Sequence, residues 1–211
     1  MDRKYFEFSL EEFAQDLGSK KSMPGGGSVA AYALNLANGL ASMVANFTDG
    51  KKKYAAYQAD IKEILARCQD YHRESMGMVD RDAEAFLPLA EAYKLPSDTE
   101  QEKKYKHQEM QACLRGAASV PMDLLRLSSK VLDLHEDLLE KGSVMLLSDV
   151  GVGVAILRSA ALSARLNVMI NIKDIDDQAY VELINQEMED LVADIVRRSD
   201  YIYEEVFRRF K

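Results

Sequence analysis

The sequence predicts an all-α protein, a single domain over residues 1–211 built as a bundle of about six long helices. Three observations carry that expectation. Only four prolines and eleven glycines interrupt the 211 residues, and several of the glycines fall in one cluster. Apolar residues recur at steps of three and four, the period of one helix face, with no strand-like alternation. Two capping boxes, Ser9 with Glu12 and Thr99 with Glu102, mark helix starts.

The first helix opens at Ser9, runs to about Leu17 and stops at Gly18. Pro24-Gly25-Gly26-Gly27-Ser28 opens the second, which extends to about Thr48. Val29, Tyr32, Leu36, Leu40, Met43 and Phe47 step along it, and Ala33, Ala37, Ala41 and Ala45 form a second stripe where another helix can come close. Met23 to Thr48 carries no charge and is long enough to span a bilayer. Its asparagines, serines and many alanines fit a helix at the centre of a soluble bundle better.

Gly50 ends that helix and Lys51-Lys52-Lys53 follows. A third helix is expected from about Tyr54 to Tyr93, stopped by Leu95-Pro96, with Ile61, Ile64, Cys68, Ser75, Val79, Asp82, Phe86 and Leu89 along one face. The fourth starts at Thr99 and runs towards Glu140. Pro121 should bend or split it, because proline removes a donor and crowds the preceding turn. Gly142 breaks the chain before a fifth helix, roughly Ser143 to Ile172, with Val150, Val154, Leu157, Ala161, Ala164 and Val168 facing the core. The sixth starts near Asp176 or Asp177 and reaches the C-terminus through Ile184, Met188, Leu191, Ile195, Ile202 and Val206.

A net charge of −8 repels phosphate backbones and argues against a nucleic-acid partner. Cys68 and Cys113 stand far apart without CxxC spacing, as expected of a reducing cytosol rather than a disulfide framework. Met1-Asp2-Arg3-Lys4-Tyr5 runs into polar sequence without a signal-peptide apolar core. His72, His107 and His135 are scattered, without metal-ligand spacing, and read as surface residues; no metal site is expected.

Four features could carry chemistry. The three glycines of Pro24–Ser28 admit positive φ and leave amides uncovered at a helix start, suited to an anion or a flat polar ring, or to a tight packing turn. Asp82 lies on the apolar seam between Val79 and Phe86, where a carboxylate needs a structural arginine or a protonation task. Asp80, on another face, should point to solvent. Ser159, Ser163, Asn167 and Asn171 form an uncharged polar stripe that can line a cavity or join helices; Asp149 has the same two readings as Asp82. The lysine run is a solvated face, or a magnet for a carboxylate-bearing ligand.

In this order the pieces resemble the cyclodeaminase family of folate enzymes, which includes the C-terminal domain of formimidoyltransferase-cyclodeaminase and stand-alone methenyltetrahydrofolate cyclohydrolases. The matching stretches are Pro24 to Ala31, Met43 to Thr48, Gly50 to Tyr54, Asp82 to Phe86, Leu95-Pro96, Val120-Pro121, Ser148-Asp149 and Asn167 to Asn171. Gly142-Ser143 stands where the family often has Gly-Asn, and Asn46-Phe47-Thr48 where it has Asn-Leu-Thr.

The resemblance implies an all-helical homodimer that binds tetrahydrofolate, with or without a polyglutamate tail, and uses no metal or redox cofactor; the cysteine usage sets the expectation of a cytoplasmic location. The expected reaction is cyclodeamination of 5-formimidoyltetrahydrofolate to 5,10-methenyltetrahydrofolate and ammonia; the alternative is hydrolysis of the methenyl bridge. It further implies Asp82 as general acid and base, and Asp149 as second carboxylate or orienting group. Pro24, Gly25, Gly26, Gly27, Ser28, Asn46, Asn167 and Asn171 would bind substrate, and Lys51, Lys52 and Lys53 its glutamate tail. A non-catalytic helical interaction protein would explain the alanine stripes and acidic surface equally well, but not a buried-side Asp82 beside a glycine-rich helix start.

Overall fold

A computed structural model describes residues 3–211, so the reading of Met1 and Asp2 lies outside it. The described residues form six helices: α1 Leu10–Leu17, α2 Gly26–Asn46, α3 Gln58–Lys94, α4 Glu100–Lys141, α5 Leu147–Ile172 and α6 Gln178–Arg208. Short 3-10 turns at Lys52–Tyr57 and Val144–Leu146 precede α3 and α5, which therefore start a few residues later than the sequence suggests. Both capping boxes form: the Glu12 amide donates to Ser9 Oγ at 3.1 Å and the Glu102 amide to Thr99 Oγ1 at 3.2 Å.

α2 and α5 occupy the centre, packed on each other; α3 lies against α2, α6 against α5, and α4 against both α3 and α5. The two run antiparallel. Gly26, which opens α2, stands beside Asn167 near the end of α5, while the Ser143 amide ahead of α5 donates to Thr48 Oγ1 at 2.8 Å beyond α2. Both helices are long and apolar enough to cross a membrane, yet α2 spends its polar groups on α3: Asn35 Nδ2 donates to Ser75 Oγ at 2.7 Å and Asn38 Nδ2 to the Cys68 carbonyl at 2.9 Å. That is the behaviour of a bundle's central helix.

Side-chain placement corrects the sequence reading at several points. In α2 the alanine stripe is the buried one, with Ala37, Ala41 and Ala45 fully covered. The larger residues Val29, Leu36 and Phe47 are 37, 47 and 54% exposed and face outwards. Pro121 does not split α4, and α3 likewise runs unbroken through Pro88.

His135 is no surface residue: it is fully buried, its Nε2–H donates to the Ala37 carbonyl at 3.1 Å, and Nδ1 has no partner among the described residues. Gly153 makes room for it, since a Cβ there would lie 2.1 Å from His135 Cε1. Burial pushes the imidazole down to about 4, so it is neutral at physiological pH. Asp80 is buried rather than solvated and accepts the Tyr5 amide at 2.8 Å, pinning the N-terminal segment to α3.

Candidate active site

A cavity of about 240 Å³ opens where the start of α2, the second half of α3, the middle of α4 and the end of α5 meet. Gly25, Gly26 and Gly27 form one wall, with Asp82 from α3 beside them and Asn167 and Asn171 from α5 opposite. Met23, Phe86, Leu89, Tyr93 and Ile170 supply apolar surface, and Lys173 stands at the rim.

Gly27 is explained by this junction rather than by positive φ. Among the described residues Gly50 is the one glycine with φ in the left-handed region, whereas Gly25, the residue before α2, is extended at φ −126°. The constraint is space: a Cβ on Gly27 would lie 2.0 Å from Asp82 Oδ1 and 2.4 Å from its Cγ. A Cβ on Gly26 would reach van der Waals contact, 3.6 Å, with the Asn167 amide. Backbone therefore presses directly on the carboxylate.

No side chain from its own N-cap residue serves α2, because that residue is Gly25. Asp82 takes over the role from a neighbouring helix. It accepts the Ser28 hydroxyl at 3.0 Å, and the Ser28 backbone amide, at the positive end of the α2 dipole, also favours its ionised form. The structural-arginine alternative has no support: Asp82 forms no ion pair among the described residues, and neighbouring Arg81 bonds Asp123 at 2.9 Å.

Desolvation raises the Asp82 carboxyl above its ordinary range, and the Ser28 bonds offset part of that rise. The Ser28 hydroxyl also lies 3.2 Å from the Val79 carbonyl. Having one proton, it donates to Asp82 when the carboxylate is ionised and can turn to Val79 when Asp82 carries the proton. The pair is built to hold or release a proton at the cavity wall.

The polar stripe of α5 is tied to its own helix. Ser159 Oγ donates to the Ala155 carbonyl and Ser163 Oγ to that of Ser159, at 3.1 and 2.8 Å. Asn167 Nδ2 donates to Ser163 and Asn171 Nδ2 to Asn167, both at 2.8 Å. Only the two asparagines reach the cavity.

Other expected site residues do not. Pro24 is buried behind the glycine turn and follows a cis peptide bond. Asn46 is exposed at the far end of α2 and donates to the Ser42 carbonyl at 2.9 Å. At about 1.5 Å per residue, Asn46 stands roughly 30 Å from Gly26. Lys51, Lys52 and Lys53 lie at that same end, with Lys51 Nζ 5.8 Å from the Phe47 ring centre. Asp149, in the first turn of α5, is there too; about 27 Å of helix separates it from Asn167.

The expected residues thus divide into two groups at opposite ends of the α2–α5 pair. Sequence reasoning missed Lys173 and the Ala117 edge of the cavity. The lone lysine just past the α5 stripe was the available sign for the first. Among the described residues, no three His, Cys, Asp or Glu side chains are placed to hold a metal ion.

Comparison with known proteins places this arrangement. The family model described as formiminotransferase-cyclodeaminase matches residues 9–190. The chain is 38% identical to methenyltetrahydrofolate cyclohydrolase of Methylorubrum extorquens, over 94% of this chain and 95% of that protein. It is 30% identical to mouse formimidoyltransferase-cyclodeaminase over 92% of this chain, but that alignment spans 36% of the mouse protein. The crystal structure of formiminotetrahydrofolate cyclodeaminase from Thermotoga maritima superposes with a TM-score of 0.83 at 29% identity, covering 95% of this chain and 98% of that one. The chain belongs to the formiminotransferase-cyclodeaminase family.

Proposed function

We propose that this member of the formiminotransferase-cyclodeaminase family is a cytoplasmic enzyme acting on the one-carbon unit of a tetrahydrofolate, with Asp82 as its proton-carrying group. The observation that carries the reading is the Asp82–Ser28 pair, set against the amide-bearing start of α2 at the wall of the cavity.

In the cyclodeaminase reaction N10 of 5-formimidoyltetrahydrofolate attacks the formimidoyl carbon, a tetrahedral carbon forms, and ammonia departs to leave the methenyl bridge. In the cyclohydrolase reaction water adds to that bridge and a carbon–nitrogen bond then breaks to give 10-formyltetrahydrofolate. Both need a group that takes a proton at one step, returns it at another, and steadies a cationic carbon between two nitrogens. A carboxyl with a raised proton affinity does all three. The full-length likeness to a cyclohydrolase favours the second reaction, and the likeness to a solved cyclodeaminase the first. No metal or redox cofactor has a part in either scheme.

In this reading the cavity takes the pterin head, and the aminobenzoyl-glutamate leaves past Lys173. The second group of residues then takes its place through a dimer. The central pair exposes Val29 and Leu36 of α2, Phe47 just beyond it, and Val152 and Leu166 of α5, apolar surface that a second copy would cover. A two-fold axis across antiparallel central helices sets the far end of one copy beside the cavity of the other. Asn46, Lys51–Lys53 and Asp149 of one subunit would thereby complete the site of its partner, the lysines meeting a glutamate or polyglutamate tail.

The test offers the purified protein 5-formimidoyltetrahydrofolate and, separately, 5,10-methenyltetrahydrofolate, following ammonia and the methenyl chromophore. Ammonia release with a growing methenyl signal is the cyclodeaminase; methenyl loss above the spontaneous rate is the cyclohydrolase. Asp82→Asn is expected to keep the helical fold and lower either rate by about 10²–10⁴-fold. Near-normal turnover in that variant would remove Asp82 from the mechanism.

A further inference from the structure

Proline in the interior of a helix leaves the carbonyl four residues earlier without its helical donor. In α4 that carbonyl belongs to Ala117, which borders the cavity. It is not left empty: Asn171 Nδ2 donates to it at 3.1 Å across the α4–α5 contact. The second Nδ2 hydrogen goes to the Asn167 carbonyl at 2.8 Å. With both amide hydrogens committed, Asn171 has only its Oδ1 to offer the cavity. The other interior proline lacks this arrangement: Pro88 frees the carbonyl of Glu84, an exposed residue within reach of water.

We propose that Pro121 is a positioning residue for substrate, acting through the Ala117 carbonyl to hold Asn171 with its amide oxygen turned to the cavity. Asn167 differs: its Nδ2 gives one hydrogen to the Ser163 carbonyl and has no second acceptor among the described residues, so on the α5 wall it is Asn171 that is confined to accepting. The complementary ligand group at Asn171 is an N–H, as on the ring or amino nitrogen of a 2-amino-4-oxopyrimidine. The ligand part of this proposal rests on the folate reading; the Pro121–Asn171 geometry does not.

The test compares wild type with Pro121→Ala, Asn171→Ala and the double variant. Pro121→Ala restores the helical donor to Ala117 and removes a residue that disfavours a helix interior, so it should raise Tm. It should also raise KM about fivefold, the effect of one neutral hydrogen bond, with kcat within about twofold. The double variant should have the KM of Asn171→Ala alone. A purely structural proline would not give greater stability together with weaker substrate use.

Nuclear magnetic resonance of the Asn171 side-chain amide supplies a reading without any folate. Both Nδ2 protons should be protected from exchange in wild type, and one should lose protection in Pro121→Ala. Unchanged protection, or an unchanged KM in an active enzyme, overturns the proposal. An inactive wild type with the expected amide change overturns the folate reading and leaves the positioning role standing.

Discussion

Asp82 gains its properties from what surrounds it rather than from its residue type. Burial favours the protonated form, and the two Ser28 bonds favour the ionised one. The balance lies above an ordinary aspartate, so activity that needs the ionised carboxylate should fall, as pH drops, at a higher pH than an ordinary aspartate would set. Ser28→Ala removes a donor that favours the ionised form, so proton affinity must rise further. The acid limb of the kcat/KM profile should then move to higher pH, with the alkaline side unchanged. A limb that stays in place, or moves to lower pH, would show that Ser28 does not govern Asp82.

At the scale of the element, α2 is fitted to Asp82 at its first turn. Gly27→Ala places a Cβ where Asp82 Oδ1 now lies, and the carboxylate is the short, movable partner that must swing away. Alanine also favours a helix by about 1 kcal/mol over glycine. The variant should therefore keep its Tm while kcat falls about 100-fold, the effect of misplacing a catalytic group by an ångström. Gly77→Ala in α3 is the control, because a Cβ there meets nothing within 4 Å, and its activity should be unchanged.

The same junction marks what sequence could and could not reveal. Helix ends were legible because their signals are local: the caps at Ser9 and Thr99 and the break at Gly142 act on adjacent residues. The core stripe of α5 was legible from its period. The reason for Gly27 was not, because it lies in contact with a residue more than fifty positions away. Pro121 suggested a bend or a split, whereas a side chain from α5 answers the freed carbonyl and α4 continues unsplit. Asp80 and His135 were misplaced for a related reason, since their burial depends on Tyr5 and Gly153, contacts that no periodicity records.

For the whole molecule, the two groups of expected residues pose a geometric question with a direct answer. One chain cannot bring Lys51–Lys53 to its own Asp82, because α2 is a rigid rod of about 30 Å between them. If a partner copy supplies the lysines, a subunit lacking Asp82 and one lacking the lysines are defective in different parts of a shared site. Asp82→Asn mixed with Lys51→Ala/Lys52→Ala/Lys53→Ala, after unfolding and refolding together, gives hybrid dimers. In each hybrid one site loses both parts and the other keeps both. Random pairing makes half the dimers hybrid, so about a quarter of all sites are intact. The mixture should recover roughly a quarter of the wild-type kcat/KM, measured at low substrate where the lysines matter most. Activity no greater than the average of the two variants would place the lysines outside a shared site. The cavity and Lys173 of a single chain would then have to suffice for the whole substrate.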